Sequence, residues 1–213
     1  MIVRKPAHAR SAFLDDFLRS LRDEGFGGAP LTLGYDEQGR QLFEFVPGWV
    51  PYPMAPYRLP DAAVLSATAL IRDFHDAGAR SPLSGGAETV CHSDLGPHNT
   101  VFRDGRAIAL IDFDADTGPG RRIDDFDQAV WSFADLLEPA VPWPDQARTV
   151  RLMCDAYPGM TPGLVIDALT ARFERARADH AANGRIPAAR VFEDLLHRVS
   201  DYGDRIRGWS PSA

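Results

Sequence analysis

Asp94, Asn99 and Asp112 are three oxygen-bearing side chains within one short stretch, residues 91–116, CHSDLGPHNTVFRDGRAIALIDFDAD. Carboxylate and amide oxygens are the ligands that hard cations take, so the chemistry open to them depends on whether the chain brings them together. Residues 101–102 and 107–111 are strand-like apolar runs, and Asp104-Gly105 between them is a strong two-residue turn signal. With that turn Arg103 pairs with Arg106, and counting back sets Asn99 opposite Leu110. Asp112 lies two residues beyond Leu110 and so shares a face with Asn99, as a diagonal neighbour roughly 7–8 Å away. The two groups can then converge on one or two hard cations. A register change of one residue would send them to opposite faces.

Other uses of the same residues fit less well. The run Asp112-x-Asp114-x-Asp116 resembles a calcium loop, but its sixth position is Thr117 instead of Gly and its twelfth is Ile123 instead of Glu. Cys91, His92 and His98 make a poor zinc set, because Cys91 and His92 are adjacent in strand-like sequence and point to opposite sides. His92 is expected to pack under the loop. His98 either touches a substrate or faces solvent, and Asp114 either lines the metal site or is exposed.

The elements that must position these groups follow from periodicity. Ser11 suits the N-cap of a helix through Glu24, with Leu14, Phe17, Leu18 and Leu21 on one face and Asp15 and Asp16 in its first turn. Residues 31–35 and 41–46 read as strands, and Pro47-Gly48 ends the second. Prolines 51, 53, 56 and 60 make 50–60 an extended connection, so a boundary near residue 48 divides the chain into 1–48 and 49–213. Trp49, Tyr52 and Tyr57 in that connection are expected to pack on the back lobe, with cation–π contact to a substrate as the alternative. A helix runs from Asp61 to about Ala77, 89–91 is a short buried strand, 118–122 is a loop, and 123–137 is a helix. Further helical patterns cover 145–157, 162–182 and 188–209.

The totals exclude more than they assign. With 45% hydrophobic and 25% charged residues, the 213-residue composition is that of an ordinary soluble globular protein. No apolar run is long enough to span a bilayer, and MIVRKPAHAR has no secretory h-region. Two cysteines make no disulfide framework and suit a reducing cytoplasm. A net charge of −7 argues against nucleic acid and for a cationic small substrate.

The motif H-x-D-x-x-x-x-N, followed by an apolar strand ending in D-F, resembles the catalytic loop and metal-binding aspartate of kinases. With Gly25-Phe26, Phe45-Val46-Pro47-Gly48, Phe74-His75-Asp76, and Asp125 with Trp131 downstream, the sequence resembles the aminoglycoside phosphotransferase and choline kinase-like family through most of its length. The resemblance implies an α+β, protein-kinase-like bilobal fold: a reduced N-lobe of a short sheet and one helix, and a mainly helical C-lobe with an embedded β-hairpin. It implies transfer of the γ-phosphate of ATP or GTP, with Mg²⁺, to a hydroxyl of a small aminoglycoside- or choline-like acceptor. By the same resemblance Asp94 positions or deprotonates that hydroxyl, and Asn99 and Asp112 hold Mg²⁺. Phe45, Val46 and Pro47 form a hinge that meets the adenine, and Asp125, with His92, supports the loop. Arg4 reaches the phosphates, with Lys5 as the alternative in so short a strand, and Asp15 or Asp16 is the carboxylate partner of that basic residue.

Three departures qualify the match. The family's glycine-rich loop would precede Arg4, where three residues stand, Ser93 replaces a usual glycine, and Asp114 takes the glycine place of D-F-G. The front lobe is therefore read as truncated, with a sheet edge open to homodimer pairing. A kinase-like binding module is the alternative function, and a metal-dependent phosphoester hydrolase a distant third.

Overall fold

The computed structural model describes residues 1–51 and 59–208, so Tyr52 and Tyr57 lie outside the described residues. The front of the chain forms β1 (Ile2–Lys5), α1 (Ser11–Asp23), β2 (Thr32–Tyr35) and β3 (Gln41–Glu44). The strands make one antiparallel sheet in the order β1-β3-β2, with Val3 opposite Phe43 and Lys5 opposite Gln41. Strand alternation sets Val3 and Lys5 on one face and Arg4 on the other.

α1 buries Leu14, Phe17, Leu18 and Leu21, the face its spacing predicts. Its end is a Schellman motif: Phe26 N–H donates to Leu21 O at 2.8 Å and Gly25 N–H to Arg22 O at 2.9 Å. That closure needs a left-handed residue, and Gly25 supplies φ +84° without a Cβ clash. The helix start differs from expectation. Arg10 takes the cap position, and Ser11 is the first helical residue, its hydroxyl accepting His8 N–H at 3.0 Å. Asp15 is consequently off the exposed first turn and buried. It accepts Gln41 Nε2–H at 2.8 Å and the Thr32 hydroxyl, tying α1 to both β3 and β2.

The rest of the chain holds α2 (Asp61–Arg80), β4 (Thr89–Cys91), β5 (Thr100–Arg103), β6 (Arg106–Leu110), β7 (Gly118–Gly120), α3 (Arg122–Phe133), α4 (Trp143–Ala156), α5 (Pro162–Ala182) and α6 (Ile186–Gly208). Phe74, fully buried on α2, is an aromatic hub. Its ring centroid lies 6.1 Å from Phe17, 5.8 Å from Phe26 and 5.8 Å from Phe113. One hydrophobic core therefore runs from α1 across α2 to the segment that follows the hairpin. Burial of each such ring contributes about 1.5–3 kcal/mol.

Three expectations are corrected here. The expected loop at 118–122 contains β7, which pairs antiparallel with β4, Cys91 opposite Gly118. The expected helix 123–137 stops at Phe133, because Asp135 and Leu137 hold positive φ, 45° and 73°, which no α-helix continues. The hairpin keeps Arg103 opposite Arg106, but a bulge at Ile108 shifts the pairing so that Thr100, not Asn99, faces Leu110.

Candidate functional site

The loop from His92 to Asn99 is shaped from beneath by one buried carboxylate. Asp125, near the start of α3, accepts the backbone N–H of His92 and of Ser93, each at 2.7 Å, and His75 Nε2 at 3.0 Å. Burial pushes its carboxyl up, but the hydrogen bond and charge of His75, together with His92, outweigh burial and hold it below the usual carboxylate range. Asp125 is thus an ionised acceptor for three donors. His75 Nδ1 takes the fourth place in the chain, 2.9 Å from the Tyr157 hydroxyl. The tight loop forces Ser93 to φ +72°, the left-handed region where glycine sits at no cost. Here the serine hydroxyl donates to Asp116 O at 2.9 Å.

His92 joins the loop to the hairpin. Its Nε2–H donates to Ile111 O at 2.9 Å, so Nδ1 is the acceptor for Asp94 N–H at 3.3 Å. Its ring lies 4.4 Å from Phe113. Asp94 itself is outside the cleft lining, and its side chain is half-exposed. Asn99 Nδ2 donates to both Asp94 O at 2.9 Å and Asp94 Oδ2 at 2.8 Å, which leaves Asn99 Oδ1 as the free end of the amide. His98 Nε2 lies 3.4 Å from Asp94 Oδ2 and lines the same cleft.

Asn99 and Asp112 both line that cleft, yet not by the alternation argument. The bulge moves Asn99 opposite Ile111, whose N–H donates to Asn99 O at 2.9 Å. Strict alternation would then separate the two side chains. Asp112 escapes it by leaving the strand at φ +67°. The basic residue is Lys5. Its Nζ donates to Asp112 Oδ1 at 2.6 Å and to Phe113 O at 2.9 Å. Arg4 points the other way, its Nε 3.8 Å from Asp36, which corrects the first choice between the two. Neither expected carboxylate partners Lys5: Asp15 is held by Gln41 and Thr32, and Asp16 pairs with Arg19 at 3.1 Å.

Between the sheet and the hairpin lies a cleft of about 310 Å³, within the size range of small-ligand sites. Val3, Phe43, Phe45 and Val46 line its front, Val101 and Ile111 its back, and Lys5, Asn99 and Asp112 gather at one end. Pro47 stands outside the lining; its carbonyl accepts Arg103 Nη2 at 2.6 Å. The next residue must be small. A Cβ on Gly48 would lie 2.4 Å from Val101 Cγ1 and 2.7 Å from Phe102 O. Trp49 follows in a backbone bridge to Phe102, with its ring 6.0 Å from the Phe102 ring, a packing contact.

Asp114 is outside the cleft lining, and its Oδ1 accepts Asp116 N–H at 2.9 Å, closing a turn. Trp131 packs edge-on against Phe173. Cys91 and Cys154 are free and buried; burial pushes both thiols up, Cys154 to about 12. Among the described residues no cluster of three or more His, Cys, Asp or Glu side chains could hold a metal, and no helix is long and apolar enough to cross a membrane. One carboxylate and one amide oxygen nevertheless suit Mg²⁺, which takes few protein ligands when phosphates supply the rest. Sequence reasoning missed Gln128, which donates to Asp94 Oδ1 at 2.8 Å, and Arg172 behind it.

A small antiparallel sheet facing a mainly helical body, with a His-Asp loop and a strand-end aspartate across the cleft from a lysine, is the kinase-like fold of small-molecule phosphotransferases. Solved structures match it. An aminoglycoside-3'-phosphotransferase of type VIII superposes with a TM-score of 0.51 over 78% of this chain and 81% of that one, at 17% identity. The apoenzyme of a macrolide 2'-phosphotransferase from Brachybacterium faecium gives a TM-score of 0.57 over 96% and 81%, at 13% identity. At these identities the likeness is one of fold. In sequence, the chain is 30% identical over 170 residues, 69% of its length, to the trifolitoxin immunity protein of Rhizobium leguminosarum bv. trifolii. It spans 64% of that protein's length. No protein-family model matches the chain.

Proposed function

We propose that this chain carries the active site of a phosphotransferase that moves the γ-phosphate of ATP or GTP to a hydroxyl of a small, cationic, toxic molecule. The observation that carries the reading is the gathering of Lys5, Asn99 and Asp112 in one cleft of about 310 Å³, with Asp94 bonded to Asn99 beside it. Two fold neighbours act on antibiotics by name, and the sequence relative is named for immunity to a toxin. We combine the two: protection from a toxic compound by phosphorylating it. The net charge of −7 favours a cationic acceptor, and two free buried cysteines fit the cytoplasm.

In this reading Asp94 takes the proton of the acceptor hydroxyl, as a carboxylate whose orientation is already set. Asn99 Oδ1 and Asp112 would hold Mg²⁺, which, when bound, neutralises charge on the phosphates. Lys5 leaves Asp112 for a phosphate oxygen, and Phe45 and Val46 cover the base. Thermal shift with MgATP on wild type and Asp112→Ala tests it. A shift in wild type alone is expected. Equal shifts, or none at millimolar MgATP, would remove the basis for nucleotide chemistry.

A second reading has one observation in its favour. Lys5 already satisfies Asp112 at 2.6 Å, an arrangement that needs no metal or nucleotide. The chain would then protect by sequestering its toxic ligand. Asp94→Ala separates the two in a sensitive host exposed to an aminoglycoside or macrolide panel: retained protection favours sequestration, and lost protection favours phosphorylation.

A further inference from the structure

Gln128 of α3 is not among the residues that line the cleft, yet it bonds in two directions. Its Nε2 donates to Asp94 Oδ1 at 2.8 Å, and its Oε1 accepts from Arg172 Nη1 at 3.1 Å. The two ends of an amide are hard to distinguish by shape, but here the neighbours settle them. A guanidinium only donates, so Gln128 must offer it oxygen, and the NH₂ is left for Asp94.

Arg172, on α5, is itself locked. Its Nε and Nη2 donate to Asp127 Oδ1 at 3.0 and 2.7 Å, and Nη2 also reaches the Asp124 carbonyl. Asp127 is fully buried and Arg172 largely so. A planar fork held at three points has little freedom to release the amide. The consequence reaches the loop. Asp94 is 49% exposed, and an aspartate that open would ordinarily sample several rotamers. Instead Gln128 holds one carboxylate oxygen while Asn99 holds the other at 2.8 Å.

We infer that Gln128, oriented by Arg172, is a positioning residue that fixes the Asp94 carboxylate for proton transfer, so that α5 sets the geometry of the catalytic loop. Its consequence for rate rests on the phosphotransfer reading; the clamp itself rests on the geometry.

Gln128→Leu keeps the bulk and removes both bonds. Gln128→Glu keeps the contact to Arg172 but sets a second carboxylate against Asp94. The assay is MgATP turnover with water, an aminoglycoside or a macrolide as acceptor. Gln128→Leu is expected to lower kcat roughly 10- to 100-fold with the KM for MgATP within about twofold, the signature of lost orientation and retained binding. Gln128→Glu should fall further than Gln128→Leu although it is nearer in shape. Crystal structures of both chains supply a second readout: one Asp94 rotamer in wild type, and a displaced or divided one in Gln128→Leu. An unchanged kcat, or a fall matched by loss of MgATP binding, would overturn the inference. If wild type turns over no MgATP, the phosphotransfer reading has failed and the crystal structures decide the clamp alone. An unmoved Asp94 in Gln128→Leu refutes it, and a displaced one upholds it.

Discussion

Asp94, bonded to Asn99 at the back wall of the cleft, and Lys5, which lines its front, are held in opposite ways. Behind Asp94 stand Asn99, Gln128 and, through the loop backbone, Asp125; Gln128 is bonded in turn to Arg172, and Asp125 to His75. Asp125 is wholly buried and accepts from the backbone of His92 and Ser93 and from His75. Lys5 has one charged partner, Asp112, and their side chains are 30% and 56% exposed. An ion pair that open contributes at most about 1 kcal/mol, so a phosphate can take the lysine at little cost. The back wall is preorganised, as the proposed transfer would require, and the Lys5 contact at the front wall is exchangeable, as a site for an entering phosphate would require.

If that contrast holds, damage should scale with the wall that is struck. Asp125→Ala leaves two backbone N–H groups and His75 without their acceptor, and the expected loss is about 3–5 kcal/mol, read from urea midpoints. The same carboxylate gives a pH signature. Its folded pKa lies below its ordinary value, so its stabilisation is complete above the unfolded carboxylate range, about pH 4, and is lost as pH falls through the folded value. The stability gap between wild type and Asp125→Asn should therefore shrink below about pH 4 and stay flat above it. A gap that widens on acidification would contradict the buried anion.

Gly48→Ala strikes the seam between the walls. With Val101 and the Phe102 carbonyl in the way of a Cβ, overpacking should cost about 1–3 kcal/mol by urea midpoint and reduce the thermal shift expected with MgATP. Lys5→Ala should change stability by less than about 1 kcal/mol while raising the KM for MgATP. Arg4→Ala, on the outer face beside Asp36, should leave that KM where it was. Equal effects from Arg4 and Lys5 would erase the asymmetry between the two faces of β1.

Several of these features were readable in advance, and the reason is range. Asp94 and Asn99 are five residues apart and bond directly. The Asp104-Gly105 turn gives Arg103 opposite Arg106, and the α1 stripe from Leu14 to Leu21 is buried as its period requires. Each depends on neighbours within a turn or a hairpin. The bulge at Ile108 left no such trace, since an apolar run such as residues 107–111 reads the same with or without an extra residue. Asn99 and Asp112 line one cleft all the same, because a second irregularity, the left-handed Asp112, offsets the first.

By itself, then, the sequence determined which oxygen-bearing residues the proposed chemistry could draw on and set the loop, turn and helix that carry them, because local backbone sterics and periodicity suffice for those. Tertiary structure alone decided that Lys5 rather than Arg4 enters the cleft, since strand pairing with β3 chooses the face of β1. It alone joined Gln128 to Asp94, 34 residues away, and Arg172 to Gln128, 44 residues away. A polar side chain on a helix carries no mark of its distant partner; only packing α3 against α5 and the loop brings the hydrogen-bonding groups within reach.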